Sequence, residues 1–261
     1  MLSQRFTASR DYLKGEGIEI GAGPNPQPVP EGVRVSYFDI RDEAELSAYF
    51  GLDVQHASLP MSQARQTFPE GADFLIAHHV LEHSADPIGT LRQWMGLVKP
   101  GGVFVLSLPH YLICPDKDRQ PPDLEHLVLD HLLGRGQDAV ESREHILSFL
   151  CSWIDDSPGL QGLTASQASK VMSSEVKRKG HDLHWHAFDP QITYEMICAT
   201  AALERSGIEF HLDPRRWSGD SVDILSVFSL SPAPSARDSN PVLGPLQHLR
   251  QKLASAADAL A

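Results

Sequence analysis

Residues 17–39, GIEIGAGPNPQPVPEGVRVSYFD, constrain this chain more than any other stretch, because they set a strand, a glycine turn, a second strand and a terminal carboxylate in immediate succession. The first strand carries Ile18 and Ile20 and runs into Glu19-Ile20-Gly21-Ala22-Gly23. Glycines there admit positive φ and leave main-chain N–H groups open to a ligand. The second strand, Val33 to Phe38, ends at Asp39, 20 residues beyond Glu19. At that spacing a carboxylate reaches both hydroxyls of a ribose. A dinucleotide fingerprint would need a third glycine where this chain has Pro26, and a proline-rich turn does not run straight into a phosphate-binding helix. The turn therefore suits a nucleoside better than a pyrophosphate.

Residues 72–109 repeat the alternation: a buried strand (Phe74 to Ala77), a helix, a Lys99-Pro100-Gly101-Gly102 turn and another buried strand (Val103 to Leu108). Continuous apolar strands separated by a helix indicate a parallel sheet covered on both faces. Four motifs now stand in order, EIGAGP, the strand-end Asp39, AHHVLEH and LVKPGG, and over roughly residues 15–110 the chain resembles the class I S-adenosylmethionine-dependent methyltransferases with the LEH…KPGG signature. The resemblance implies an α/β, Rossmann-like doubly wound sheet of seven strands, the last antiparallel, with S-adenosylmethionine as cofactor. It implies that Glu19, Gly21, Ala22 and Gly23 lie by the methionine part, that Asp39 holds the ribose, and that His78 and His79 line the pocket. The acidic residue that the family usually sets beside the adenine is displaced here, since Asp53 comes early in DVQHASLP. The main chain around Ser58 and Leu59 is the expected substitute.

After the fifth strand, residues 110–187 hold short helical patterns (Leu124–Leu133, Arg143–Ile154, Ser166–Val176) without strand signals. Such a helical insertion lies over the carboxyl ends of the strands, where ligands bind, and reads as a lid that shapes the acceptor pocket. The core resumes at 188–230, with Asp189-Pro190 opening a helix and residues 208–212 and 222–230 forming a terminal antiparallel hairpin at the sheet edge. The core is thus 1–109 with 188–230. Residues 231–241 are a linker by composition, and in 242–261 an apolar stripe (Leu246, Leu249, Leu253, Ala256, Ala257, Leu260) marks an amphipathic helix. That helix either folds back on the domain or contacts a second copy or a partner protein.

The net charge of −12 opposes binding to nucleic-acid phosphates, so the acceptor is expected to be a small molecule. The chain has no apolar run long enough for a membrane span, and its first residues lack the apolar core of a signal peptide. Its three cysteines form no CxxC pair. A cytoplasmic location follows from these features as an expectation.

Methyl transfer from a sulfonium is a displacement at an activated carbon, and a hydroxyl acceptor also needs a base. Of 13 histidines, His110 at the end of the fifth strand and His126 in the insertion are the expected bases. The stretch 116–126 is loosely like one in methyltransferases of glycan or natural-product pathways, which would face Asp118, Arg119 and His126 to the acceptor. A metal held by His184 and His186 with Asp118, Glu125 and His126 is a weaker alternative, since no tight ligand spacing supports it, and no metal is expected. The chain accordingly reads as a methyltransferase acting on an oxygen or nitrogen of a small polar acceptor, a sugar or natural-product intermediate. The competing reading is a cofactor-binding partner subunit without catalysis.

Overall fold

The computed structural model describes residues 2–54, 56–134, 183–219 and 221–231, together with His145, Ser148, Phe149, Ser152 and Gln167. In chain order the regular elements are α1 (Leu2–Ser9), β1 (Glu16–Ile20), β2 (Arg34–Asp39), α2 (Glu43–Phe50), β3 (Ser58–Pro60), the short α3 (Ala64–Thr67), β4 (Ala72–His78), α4 (Pro87–Met95), β5 (Val98–Pro109), α5 (Leu124–Leu133), α6 (Pro190–Leu203), β6 (Gly207–Leu212) and β7 (Asp223–Ser231). Seven strands form one sheet in the order β3-β2-β1-β4-β5-β7-β6. β3, β2, β1, β4 and β5 pair in parallel, and β7 lies antiparallel between β5 and β6. The expected seven-stranded doubly wound sheet is present. The terminal hairpin is present too, with β6 as its outer strand and β7 inserted one place inward.

Aspartate caps set where the helices begin. Asp42, Asp86, Asp123 and Asp189 each accept a backbone N–H in the first turn of the helix that follows, and Asp86 and Asp189 are followed by proline at the first helical position. At α2 the cap is reciprocal, with Glu45 accepting the Asp42 N–H at 3.0 Å. The Lys99–Gly102 turn is absorbed into β5 as an irregularity: Ala72 pairs with Val98 and Phe74 with Val103, so the four intervening residues bulge from the ladder.

The core divides by strand parity. Leu75, Phe104 and Phe228 belong to a large cluster with Leu91, Ile88, Met196 and Ile197 from α4 and α6. Phe74, Ile76, Val105 and Val227 point to the other face and meet Leu13. Burial on both faces explains why the central strands read as unbroken apolar runs.

Of the three helices expected in the insertion, Leu124–Leu133 is found with those bounds. The stretches 143–154 and 166–176 fall almost wholly outside the described residues, as do the linker beyond Ser231 and the helix expected at 242–261. The chain returns from the insertion through 183–188, where Phe188 bridges to His110 beside the end of β5. No helix among the described residues is long and apolar enough to cross a membrane.

Candidate active site

The strand order reverses between β1 and β4, and the crevice outside the carboxyl ends at such a point is where open α/β sheets bind ligands. A cavity of about 630 Å³ opens there. Its wall follows from the topology: β1 delivers Glu19 to Asn25, β2 delivers Asp39 to Arg41, and β4 delivers His78 to Val80. Ile40, Tyr49, Phe50 and Met61 line it too, as do Arg5, His83, Ser84 and Trp94.

The glycine turn is held from behind. Gly21 has φ +65° and donates its N–H to Phe38 O at 2.9 Å, and a Cβ added there would meet Val80 Cγ2 at 2.6 Å. Gly23 has φ +54°; its carbonyl accepts from His56 Nε2 at 2.8 Å, and His56 stacks on Tyr37. A side chain at either position would be strained in conformation as well as crowded.

Beneath the turn Glu19 is buried and accepts the Gln27 N–H at 2.9 Å. Burial raises its pKa to about 7 against the opposing effect of that hydrogen bond and of Arg5. His78 donates from Nε2 to Gln27 Oε1 at 2.6 Å and accepts the Ser107 hydroxyl at Nδ1, and Gln27 donates in turn to Ser9 of α1. Burial, aided by the charge of Arg5, lowers the His78 pKa to about 3, which agrees with the neutral ring that this network requires. His78 thus borders the cavity as a fixed neutral group.

His79 differs. Its φ is +54°, an uncommon conformation for a residue with a Cβ, and its N–H donates to Ser107 O at 3.1 Å. The ring donates from Nε2 to Asp223 Oδ1 at 2.6 Å, which leaves Nδ1 as its basic nitrogen. Asp223, the first residue of β7, also accepts a two-pronged bond from Arg5, at 2.8 and 2.7 Å. Burial alone would raise the Asp223 pKa, but the bonds from His79 and Arg5 hold it well below the usual carboxylate range. Glu82 is fully buried, and both its oxygens lack a hydrogen-bond partner among the described residues. It lies 4.0 Å from His79 Nδ1 and 3.9 Å from His83 Nε2.

Seven of the nine expected cofactor residues, Glu19, Gly21, Ala22, Gly23, Asp39, His78 and His79, line the cavity. Ser58 and Leu59 do not, because they sit within β3, paired with Tyr37 and Phe38; Met61, just past that strand, reaches the wall instead. The residues expected to serve the acceptor stand apart from the cavity as well. His110 is buried, stacked on Trp217 with ring centroids 4.0 Å apart, and its Nδ1 accepts the Leu112 N–H. Asp118 is exposed; the carboxylate that this segment turns inward is Asp116, which accepts from Arg119 and from His184 at 2.6 Å. His126 belongs to a group with Asp130, His145 and His186. Neither Arg5 nor Asp223 is singled out by sequence reasoning, because they meet across 218 positions with no local motif around either.

A family model described as a methyltransferase domain matches residues 34–106. A protein of Mycolicibacterium smegmatis described as a probable S-adenosylmethionine-dependent methyltransferase is 24% identical over 84% of this chain and 81% of its own. Among solved structures, the CurJ carbon methyltransferase superposes with a TM-score of 0.41 at 13% identity, over 84% of this chain and 49% of that one. Human N-acetylserotonin methyltransferase in complex with S-adenosylmethionine gives 0.45 at 14% identity, over 88% and 51%. The chain spans about half the length of these two solved structures.

Proposed function

We propose that the cavity holds S-adenosylmethionine against Asp39 and the glycine turn, and presents a hydroxyl or amine of a small polar acceptor to His79; the methyltransferase domain matched over residues 34–106 and the similarity to an S-adenosylmethionine-dependent methyltransferase support this reading. The observation that carries this reading is that one cavity is lined both by Gly21, Gly23 and Asp39 and by His79, whose ring is held by Asp223.

The residues present suit the cofactor. The volume is that of a small-molecule site. Asp39, whose Oδ1 accepts the Arg41 N–H at 3.0 Å, is a carboxylate suited to ribose hydroxyls. Ile40, Tyr49, Phe50 and Met61 offer an apolar slot for a purine, and Gly21 and Gly23, where a Cβ would meet Val80 and Phe50, let the turn pack tightly against those side chains of the wall. When bound, S-adenosylmethionine supplies a methyl group on a sulfonium already activated for displacement.

The chain's own residues then have two tasks. The first is orientation: His78, locked neutral by Ser107 and Gln27, and Glu19, buried under the turn, hold the floor in one geometry. The second is proton removal. Asp223 fixes the His79 tautomer and stabilises the imidazolium that forms when Nδ1 takes a proton from the acceptor. Arg5 keeps Asp223 ionised for that role. A sugar or natural-product intermediate fits the polar rim of Arg5, His83 and Ser84 and the acidic character of the whole chain.

The test is a methyl-transfer assay with S-adenosylmethionine labelled in its methyl group, run against hydroxyl- and amine-bearing sugars and aromatic metabolites. The expected result is label on oxygen or nitrogen, abolished in His79→Ala while calorimetry shows the cofactor still bound. Transfer to carbon, or undiminished transfer by His79→Ala, would overturn the reading.

A further inference from the structure

His126 and Asp130 are one turn apart on α5, so both side chains leave the same face of the helix. His145 and His186 reach the same point from elsewhere in the chain. The ligand atoms of all four lie within 4.8 Å of one another. Asp130 Oδ2 is 3.0 Å from His186 Nε2, 3.2 Å from His126 Nε2 and 3.4 Å from His145 Nε2, and the His126 and His145 Nε2 atoms are 2.7 Å apart. Asp130 and His186 are buried.

Hydrogen bonding alone accounts poorly for this convergence. One carboxylate oxygen has two lone pairs, yet three imidazole nitrogens are aimed at it, and two of those nitrogens also face each other at contact distance. A central cation would satisfy all four atoms together. A tetrahedral zinc shell with bonds of about 2.0–2.1 Å has ligand–ligand edges of about 3.3 Å; the three edges from Asp130, at 3.0, 3.2 and 3.4 Å, match that length, and the 2.7 Å edge between His126 and His145 would open slightly around an ion. Three imidazoles and one carboxylate are borderline ligands that suit zinc and its neighbours and do not suit calcium or magnesium.

We propose that His126, Asp130, His145 and His186 form a closed site for one divalent transition-metal ion of the zinc type. The site is structural. All four positions are taken by side chains, and none of the four residues lines the cavity. The ion staples α5 and His145 to the returning segment 183–188. That segment is also fastened to the cavity wall: Trp185 donates its N–H to Glu82 O at 2.8 Å, and the Leu183 carbonyl accepts from His83 Nδ1 at 3.2 Å. The metal therefore stiffens the support of His83 and Glu82 from outside the pocket. This set shares His126 and His186 with the alternative weighed from the sequence, but replaces Asp118, Glu125 and His184 by Asp130 and His145.

The full chain, stripped by a chelator and dialysed, is titrated with cobalt(II) and followed by visible absorption, then back-titrated with zinc. The expected result is the intense d–d absorption of tetrahedral cobalt, saturating at one equivalent, bleached by zinc, and accompanied by a rise in melting temperature. Asp130→Asn and His126→Ala should each weaken cobalt binding by at least about 100-fold, since even an outer-shell change costs about 10- to 100-fold. Calorimetry with S-adenosylmethionine serves as the fold check on both. His126 is the more exposed ligand, so His126→Ala decides the matter if Asp130→Asn does not fold. Absence of a saturable tetrahedral band in the wild-type chain, or a band of unchanged affinity in His126→Ala, would overturn the proposal; the latter would move the metal to another group such as Cys114, Asp116 and His184.

Discussion

His79 Nε2 lies 2.6 Å from Asp223 Oδ1, a contact that joins the end of β4 to the start of β7 across 144 positions of sequence. If His79 is the base, His79→Ala lowers kcat by about 10²–10⁴ with little change in cofactor affinity. Asp223→Asn lowers kcat as well, through loss of the tautomer that Asp223 imposes, and leaves Arg5 without its buried partner. Steady-state kinetics beside calorimetry checks both variants. A change in KM alone would assign the pair to acceptor binding.

Asp39→Ala should weaken S-adenosylmethionine binding by about 1.5–3 kcal/mol, the usual worth of hydrogen bonds to a charged group. Asp39 is partly exposed at the cavity wall, so the substitution leaves the core untouched. Calorimetric titration of the folded variant measures the loss, and unchanged affinity would remove Asp39 from the ribose site.

Glu19 makes a prediction about pH. Its folded pKa is raised by burial from 4.5 to about 7, so between those values the folded chain keeps a proton that the unfolded chain has released. Its contribution to stability therefore falls as pH rises from 4.5 to about 7 and is constant above that. Glu19→Gln does not titrate, so the stability of the variant relative to wild type should grow by about 3 kcal/mol between pH 4.5 and pH 8. Urea unfolding of the cofactor-free proteins at several pH values reads this difference directly. His78 and His186 titrate in both proteins and cancel in the comparison. A flat difference would mean that Glu19 is already ionised in the folded chain.

Gln27 links the Glu19 carboxylate, the His78 ring and Ser9 of α1. Gln27→Leu keeps the size and leaves the N–H of His78 Nε2 unanswered, at a cost of about 1–3 kcal/mol. Denaturant unfolding checks the loss. Cofactor affinity should fall with it, because the turn rests on the same network.

That Gly21, Gly23 and Asp39 meet in one cavity is legible in the sequence because each part is local: they are strand-end residues whose placement depends on spacing alone. The central strands β4 and β5 are legible for another local reason, since burial on both faces leaves them unbroken apolar runs. The acceptor half is not. Asp116 and Asp118 look alike in sequence, and only the turn closed by Arg119 N–H on Asp116 O decides which points inward. His110 looks like a strand-end base, but it does not line the cavity and is stacked instead on Trp217, more than 100 residues later. Asp223 and Arg5 carry no motif at all, and their meaning arises only when the sheet is assembled.

β7 runs against its neighbours, so it sets its first residue, Asp223, against His79 of the cavity wall, at the end of the sheet where β1, β2 and β4 leave their last. The loop that precedes it, from Asp213 to Val222, feeds Asp223 into place without passing through the turns that hold Gly21, Gly23 or Asp39. Changes of length or composition in that loop can retune the proton-handling side while the nucleoside side stays as it is. On the proposed reading, drift in the chain's choice of acceptor is thereby uncoupled from its dependence on one methyl donor.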